Sequence, residues 1–205
     1  MFVLTVDQID SRGTEVDADA AILADREGWR KAGALAGPDR TAGDEFQLVL
    51  DDAGAALGAA LRLRREGPWS VGIGVGEVRA PLPPSTREGR GSAFLAARTA
   101  VDAAKRSPHH LAVIASDESA AAGVSALIGL LLEVRSRRSP EGWEVVDLVA
   151  DGLTQAQIAD RLGVTPQAIS LRVRAAAVRL EREAMPALTA ALAALDVDVP
   201  LRSPA

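Results

Sequence analysis

The chain has 205 residues, with 28 acidic side chains against 23 basic ones, a net charge of −5 and a pI near 5.1. That length can bury a full core and allows two small domains, while the acidic balance excludes a general polyelectrolyte affinity for nucleic acid, so any DNA contact has to come from a local patch. The absence of cysteine excludes disulfides and thiolate metal sites and matches the usage of a reducing cytoplasm.

Strand and helix signals alternate through the first half. A strand is expected at 2–6 (FVLTV), a helix over 17–35, and a short strand RTA at 40–42 that turns through Gly43 and Asp44 into a strand at 46–50. A helix over 53–65 follows, then a strand at 70–78, an irregular, mobile loop over 79–91, a helix over 92–105 and a strand at 111–115 (LAVIA). This order predicts an α+β domain with a βαββαβ core, antiparallel pairs in its sheet and the helices on one face. From 118 on the text is helical: 118–135, 143–150, 154–162, a capped helix from 165 to 180, and 186–195, with a disordered tail from 198. The expected domains are 1–117 and 118–197, followed by the tail 198–205. No leader is expected, because 2–6 has no basic head, and no membrane span, because the longest apolar run, 124–132, falls short of the roughly 18 residues a bilayer needs. Arginine dominates the basic residues, with lysine only at Lys31 and Lys105, and alanine is abundant, the usage of a GC-rich bacterial genome.

The segment 153–180, LTQAQIADRLGVTPQAISLRVRAAAVRL, carries start, turn and periodicity signals together. Ile158, Ala159 and Leu162 form the inner face of one helix, and Gly163 supplies a turn that needs positive φ. Thr165 caps the next helix, with Pro166 at its first position, where a missing N–H costs nothing. Ile169, Val173, Ala176 and Leu180 recur on one face, leaving Gln167, Ser170, Leu171, Arg172 and Arg174 on the other. Between 167 and 180 the charged residues are Arg172, Arg174 and Arg179, with no acid among them. From Gly142 on, this run resembles the tri-helical DNA-binding domains of LuxR-type response regulators and of sigma-factor region 4. The resemblance implies that Thr165, Gln167, Ser170, Leu171, Arg172 and Arg174 face double-stranded DNA. A helical packing or dimerisation module with the same spacing is the alternative.

Two acidic clusters stand where strands end, VDQIDSR at 6–12 and AGDEFQLVL at 42–50. With VGIGVGEV at 71–78 and GSAFLAARTA at 91–100, residues 2–116 resemble the palm shared by class III nucleotide cyclases and GGDEF-type diguanylate cyclases. The chain as a whole resembles the SatD-like proteins, a bacterial group that pairs such a domain with a C-terminal helix-turn-helix. The resemblance implies that Asp7 and Asp44 hold Mg²⁺ and that Asp7, Gln8, Ile9, Asp44, Glu45 and Arg98 contact a purine nucleotide. It also implies lost chemistry. Phe94 stands where the cyclase helix carries a catalytic asparagine, the first helix lacks the residues that bind guanine, and AGDEF lacks the leading glycine. No catalytic residue is assigned.

Other residues leave alternatives open. Asp7 and Asp10 can cap a following helix and Asp44 can be a turn residue. Gly72, Gly74 and Gly76 lie within a strand and are spaced by two, so they clear a sheet face for a ligand or a helix and are not a dinucleotide fingerprint. His109 and His110 have no companion ligands and are expected at the surface. Arg135, Arg137 and Arg138 either touch phosphates or complement a helix end. The apolar runs 126–134 and 187–195 are candidate seams of a homodimer. The expected function is a cytoplasmic, non-enzymatic transcriptional regulator that senses a nucleotide. An active cyclase with a DNA-binding output, or a DNA-binding protein with a purely structural first domain, are the alternatives.

Overall fold

A computed structural model describes residues 1–9 and 20–196. Asp10, the start of the helix expected at 17 and the tail expected over 198–205 lie outside the described residues. The protein is α+β, in two compact units: Met1–Ile128 with the segment from Thr189 on, and Gly129–Leu188. The expected boundary near Asp117 falls at the start of helix α5 (Glu118–Ser136), whereas the units divide within that helix.

The first unit holds a five-stranded sheet in the order β2-β3-β1-β4-β5. Its strands are β1 (Phe2–Gln8), β2 (Ala34–Ala42), β3 (Glu45–Leu50), β4 (Trp69–Val75) and β5 (Leu111–Ile114). Only the β4/β5 pair is parallel. Helices α1 (Ala20–Ala24) and α2 (Arg26–Lys31) precede β2, α3 (Ala53–Glu66) joins β3 to β4, and α4 (Ser92–Ala104) joins β4 to β5. The helix expected as far as 35 therefore ends early, and the strand expected at 40–42 is much longer. Gly33, at φ +98°, turns the chain out of α2. Pro38, which lacks an N–H, is tolerated because β2 is an edge strand whose ladder shifts register around it.

The two sheet faces differ. Val3 and Val49 cluster with Ala93, Phe94 and Ala97 of α4, and on β4 the corresponding positions are Gly74 and Gly72, opposite Val3 and Thr5. A Cβ at Gly72 would lie 2.1 Å from the Val101 amide nitrogen, and one at Gly74 would lie 2.1 Å from that of Ala97. The α4 backbone thus rests directly on β4. Leu4, Val6, Phe46, Leu48, Val71 and Ile73 alternate with these residues and are completely buried on the opposite face, where α3 packs against β1, β3 and β4. The expectation of helices on one face is corrected: glycines hollow out one face for α4, while large aliphatic residues fill the other. At the β5 edge, Ser125 Oγ accepts the Val113 amide at 2.8 Å and so satisfies an N–H that no strand pairs.

By length and composition α5, with a mean hydropathy of 1.3, could cross a bilayer, a property that the shorter run 124–132 did not signal. Its Ala121, Val124, Ile128 and Leu131 are buried, as in a core helix, while Leu127 and Leu130 are exposed. In the other expected seam, Leu188, Leu192 and Leu195 are buried within their own chain.

The second unit contains α6 (Pro140–Ala150), α7 (Gln155–Leu162), α8 (Pro166–Ala175) and most of α9 (Val178–Ala193). Val145, Leu148, Ile158, Ala159 and Ile169 form its core. α7 begins with a capping box between Thr154 and Gln157 and ends at Gly163 in the left-handed region, φ +65°. α8 stops at Ala175, short of the expected 180, because Ala177 takes φ +52°. Leu180 and Arg179 therefore belong to α9, where Leu180 is exposed and Arg179 Nε donates to Glu183 at 2.7 Å. Pro186, expected to start a helix, lies inside α9.

The glycine contact makes a sharp prediction about stability. Gly72→Ala or Gly74→Ala drives a methyl into α4 backbone and should cost about 3 kcal/mol, at the upper end of overpacking. Gly58→Ala on α3, where nothing lies within 4 Å, should add about 0.5 to 1 kcal/mol. Urea denaturation of the three variants checks this, and equal midpoints would refute the close approach.

Candidate functional site

Alternation along β1 and β3 carries the α4 face of the sheet from apolar to charged. Val3 and Val49 lie at one end. In the middle, buried Gln47 Nε2 donates to Thr5 Oγ1 at 3.0 Å. Asp7 and Glu45 continue the two rows at the other end. The ladder pairs Val6 with Phe46, so Glu45 rather than Asp44 comes next opposite Asp7. Asp44 occupies the β2–β3 turn beside Gly43, φ +58°. Gln8 pairs with Trp69 at the end of β1, and the Ile9 amide donates to the Pro68 carbonyl at 2.7 Å.

Helix α4 and the residue just after it bring cations over these carboxylates. Lys105 Nζ lies 2.6 Å from Asp7 Oδ2, and Arg98 approaches Glu45 Oε1 at 3.6 Å. The Thr41 hydroxyl also donates to Glu45 Oε1 at 2.5 Å. Burial works against the charge on Lys105, but the hydrogen bond and charge of Asp7, with Asp102 and Glu45, outweigh it and raise its pKa above the ordinary lysine value. The carboxylates are recessed and the cations outermost: Asp7 and Glu45 side chains are 16 and 15 % exposed, against 43 % for Lys105 and 64 % for Arg98. Sequence reasoning missed Lys105, although it follows Arg98 by two helical turns and is one of only two lysines.

The Mg²⁺ expected between Asp7 and Asp44 does not fit this arrangement. Asp7 already binds an ammonium group, and the ladder sets Glu45 rather than Asp44 opposite it, where Thr41 and Arg98 engage that carboxylate.

Beside this charged end, a cleft of about 330 Å³ opens between α4, the β2–β3 hairpin and the loop 79–91. Thr41, Gln47, Thr86, Arg87, Phe94 and Arg98 are among its lining residues. The loop, expected to be irregular and mobile, is fastened. Its single 3₁₀ turn (Thr86–Glu88) presents the Thr86 amide to Asp39 Oδ2 at 2.8 Å, and Arg87 donates twice to the Thr41 carbonyl, at 2.7 and 3.1 Å. The Thr86 hydroxyl lies near the same carboxylate without completing a hydrogen bond. Gly89 closes on Phe94, since a Cβ there would lie 2.1 Å from the ring. Elsewhere, His110 Nδ1 lies 3.4 Å from Ser70 Oγ, and both His109 and His110 are half-buried rather than at the open surface.

In the second unit, Thr165 Oγ1 accepts the Ala168 amide at 3.2 Å and caps α8. Thr165, Gln167, Ser170, Leu171 and Arg174 are exposed, and the last four follow the i, i+3, i+4, i+7 rule of one helix face. Arg172 leaves that row: its guanidinium lies 3.8 Å from Glu144 of α6. Of the cluster before Pro140, Arg138 is buried. It donates to the Ala176 carbonyl at 2.7 Å, pairs with Glu181 and lies 4.7 Å from the centre of the Trp143 ring.

No protein-family model matches the chain, and no curated protein or solved structure is significantly similar to it.

Asp39 makes the attachment of the loop dependent on pH. Burial opposes its charge, but the Thr86 amide and Arg26, 2.6 Å away, outweigh this and hold the carboxyl below its usual range. A depressed carboxylate adds stability above its unfolded value, about 3.9, and that stability is lost as pH falls through the lower folded value. Denaturation midpoints from pH 6 to 3 should therefore fall more steeply for the natural protein than for Asp39→Asn. Parallel curves would remove Asp39 as an anchor.

Proposed function

We propose that the chain is a bacterial, cytoplasmic transcriptional regulator that reads double-stranded DNA with α8 and binds a nucleotide in its first unit without turning it over. The row Gln167, Ser170, Leu171 and Arg174 carries the DNA reading. It stands free on a capped helix that follows a left-handed glycine and a second short helix, which is the construction of a helix-turn-helix. Arginine, glutamine and serine are side chains that can bond base edges, and a leucine can touch a thymine methyl. Residues 129–188 hold eight arginines and eight acids, so affinity has to come from this local row and not from the charge of the unit.

For the first unit, the strand order β2-β3-β1-β4 with antiparallel pairing supports a palm-like βαββαβ core. Phe94, buried in the apolar cluster with Val3 and Val49, offers no group to orient a reacting ribose, which supports binding without chemistry. A homodimer would place two α8 helices on successive half-sites. The uncharged, exposed side of α5 at Leu127 and Leu130 is the candidate seam. The exposed Leu171 also favours a second reading, in which α8 docks on a protein.

Selection of bound fragments from random duplexes, followed by titration, tests the reading. Arg174→Ala should lose about 1 to 3 kcal/mol of discrimination between the selected site and random duplex. Arg172→Ala, whose partner is Glu144, should lose less. If no sequence is enriched, or if both variants bind like the natural protein, α8 is not a DNA-reading helix.

A further inference from the structure

We propose that the cleft between α4, the β2–β3 hairpin and the loop 79–91 is an anion site that holds the phosphate of a mononucleotide-sized ligand directly on arginine, with no divalent cation. The inference rests on the nucleotide-sensing reading of the first unit and is independent of the DNA reading of α8.

Charge comes first. A dication is needed at a phosphate site when the protein offers carboxylates, and here the carboxylates are recessed beneath cations. Asp7 is covered by Lys105 and Glu45 by Arg98, so the group facing out at the cleft is a guanidinium. Arg98 is free to move, being 64 % exposed and 3.6 Å from its carboxylate. Arg87 faces it across the cleft. Two of its nitrogens, Nε and one terminal amino group, are spent on the Thr41 carbonyl, which fixes the plane of the fork and leaves the other amino group without a described partner. Two guanidinium groups converging on one cleft are a recurrent way of binding phosphate oxygens.

The second observation is the Thr86 hydroxyl. Thr86 is 2 % exposed and lines the cleft, and its Oγ1 makes no well-formed hydrogen bond among the described residues, the Asp39 carboxylate being the acceptor beside it. Burying a hydroxyl with only a poorly aligned acceptor is unfavourable, and a better-placed acceptor in the cleft would satisfy it. Of the remaining wall, Phe94 and Leu95 of α4 are available to the body of the ligand, while Thr41 and Gln47 are polar. A volume of about 330 Å³ lies at the small end of ligand sites, which run from roughly 300 to 1,000 Å³, so the cleft suits a mononucleotide better than a dinucleotide.

Calorimetry of the full chain with AMP, GMP and their triphosphates, each in EDTA and in Mg²⁺, with adenosine as the phosphate-free control, tests the site. At least one phosphorylated probe should bind in EDTA, with an affinity that Mg²⁺ does not raise, and adenosine should not bind. Arg98→Ala should weaken that binding at least tenfold, the loss expected for a charge-assisted contact. Thr86→Val should weaken it about threefold to tenfold while leaving the unliganded protein at least as stable, because it removes a buried hydroxyl that makes no well-formed hydrogen bond within the chain. A purely structural threonine would do the reverse, lowering stability and sparing affinity. Binding that requires Mg²⁺ and disappears in Asp44→Asn overturns the proposal in favour of a metal site. No binding of any phosphorylated probe at millimolar concentration overturns it and the sensing reading together, while sequence selection by α8 would remain as it was found.

Discussion

Everything chemical in the first unit depends on how close α4 comes to β4. Side chains ordinarily fill the space between a helix and the sheet it covers and hold the two backbones apart. Here Gly72 and Gly74 contribute none, and the facing residues of α4 are Ala93, Ala97, Ala100 and Val101, so backbone meets backbone. That approach fixes the height of the whole helix over the sheet. It sets Arg98 near enough to reach Glu45, and Lys105, at the helix end, near enough to bond Asp7. A larger residue on either surface would lift the cations away from the carboxylates before it touched any charged group. Small residues in the core and charged ones at its rim are therefore one device.

The same geometry decides what the rim is suited to bind. Two carboxylates on adjacent strands would by themselves attract a dication, and their spacing along β1 and β3 invites that reading. The helix reverses it. Each carboxylate is neutralised from above, and the longer cationic side chains remain more exposed than the acids they pair with. Pairs this open add little stability, since exposed ion pairs are worth about 0.2 to 1 kcal/mol. Their consequence lies in which groups they leave outermost, the guanidinium of Arg98 and the ammonium of Lys105.

Most of the elements were legible because their signals are local. The period of α3 and α4, the capping threonines at 154 and 165 and the glycine at 163 each specify a structure within a few residues, and the described helices begin where those caps stand. The glycine pair at 72 and 74 was legible as a cleared face, though not which occupant cleared it. What escaped the sequence depends on distant partners or on an unusual backbone. β2 looks helical through its alanines until it is seen as an edge strand paired with β3, and the end of α8 follows from a left-handed alanine at 177 that no residue preference announces. The candidate site escaped in part for the same reason. Asp7, Glu45 and Arg98 stand in recognisable motifs, whereas Lys105, Thr86 and Arg87 matter through contacts with residues 40 or more positions away.

The arginines before Pro140 show how a basic cluster can be structural. Arg138 lies where α5 has just ended and α6 is about to begin. It caps the last turn of α8 at Ala176, lies over the Trp143 ring and pairs with Glu181 of α9, which Arg135 also approaches at 3.6 Å. A cation donating to a helix C-terminus is favoured by the dipole as well as by the hydrogen bond. Removing Glu181 would strand a guanidinium whose side chain is 1 % exposed, a loss that in buried pairs reaches about 3 to 5 kcal/mol. Within the second unit, Arg135 and Arg138 thus tie the end of α5 and the residues just after it to α9 through Glu181.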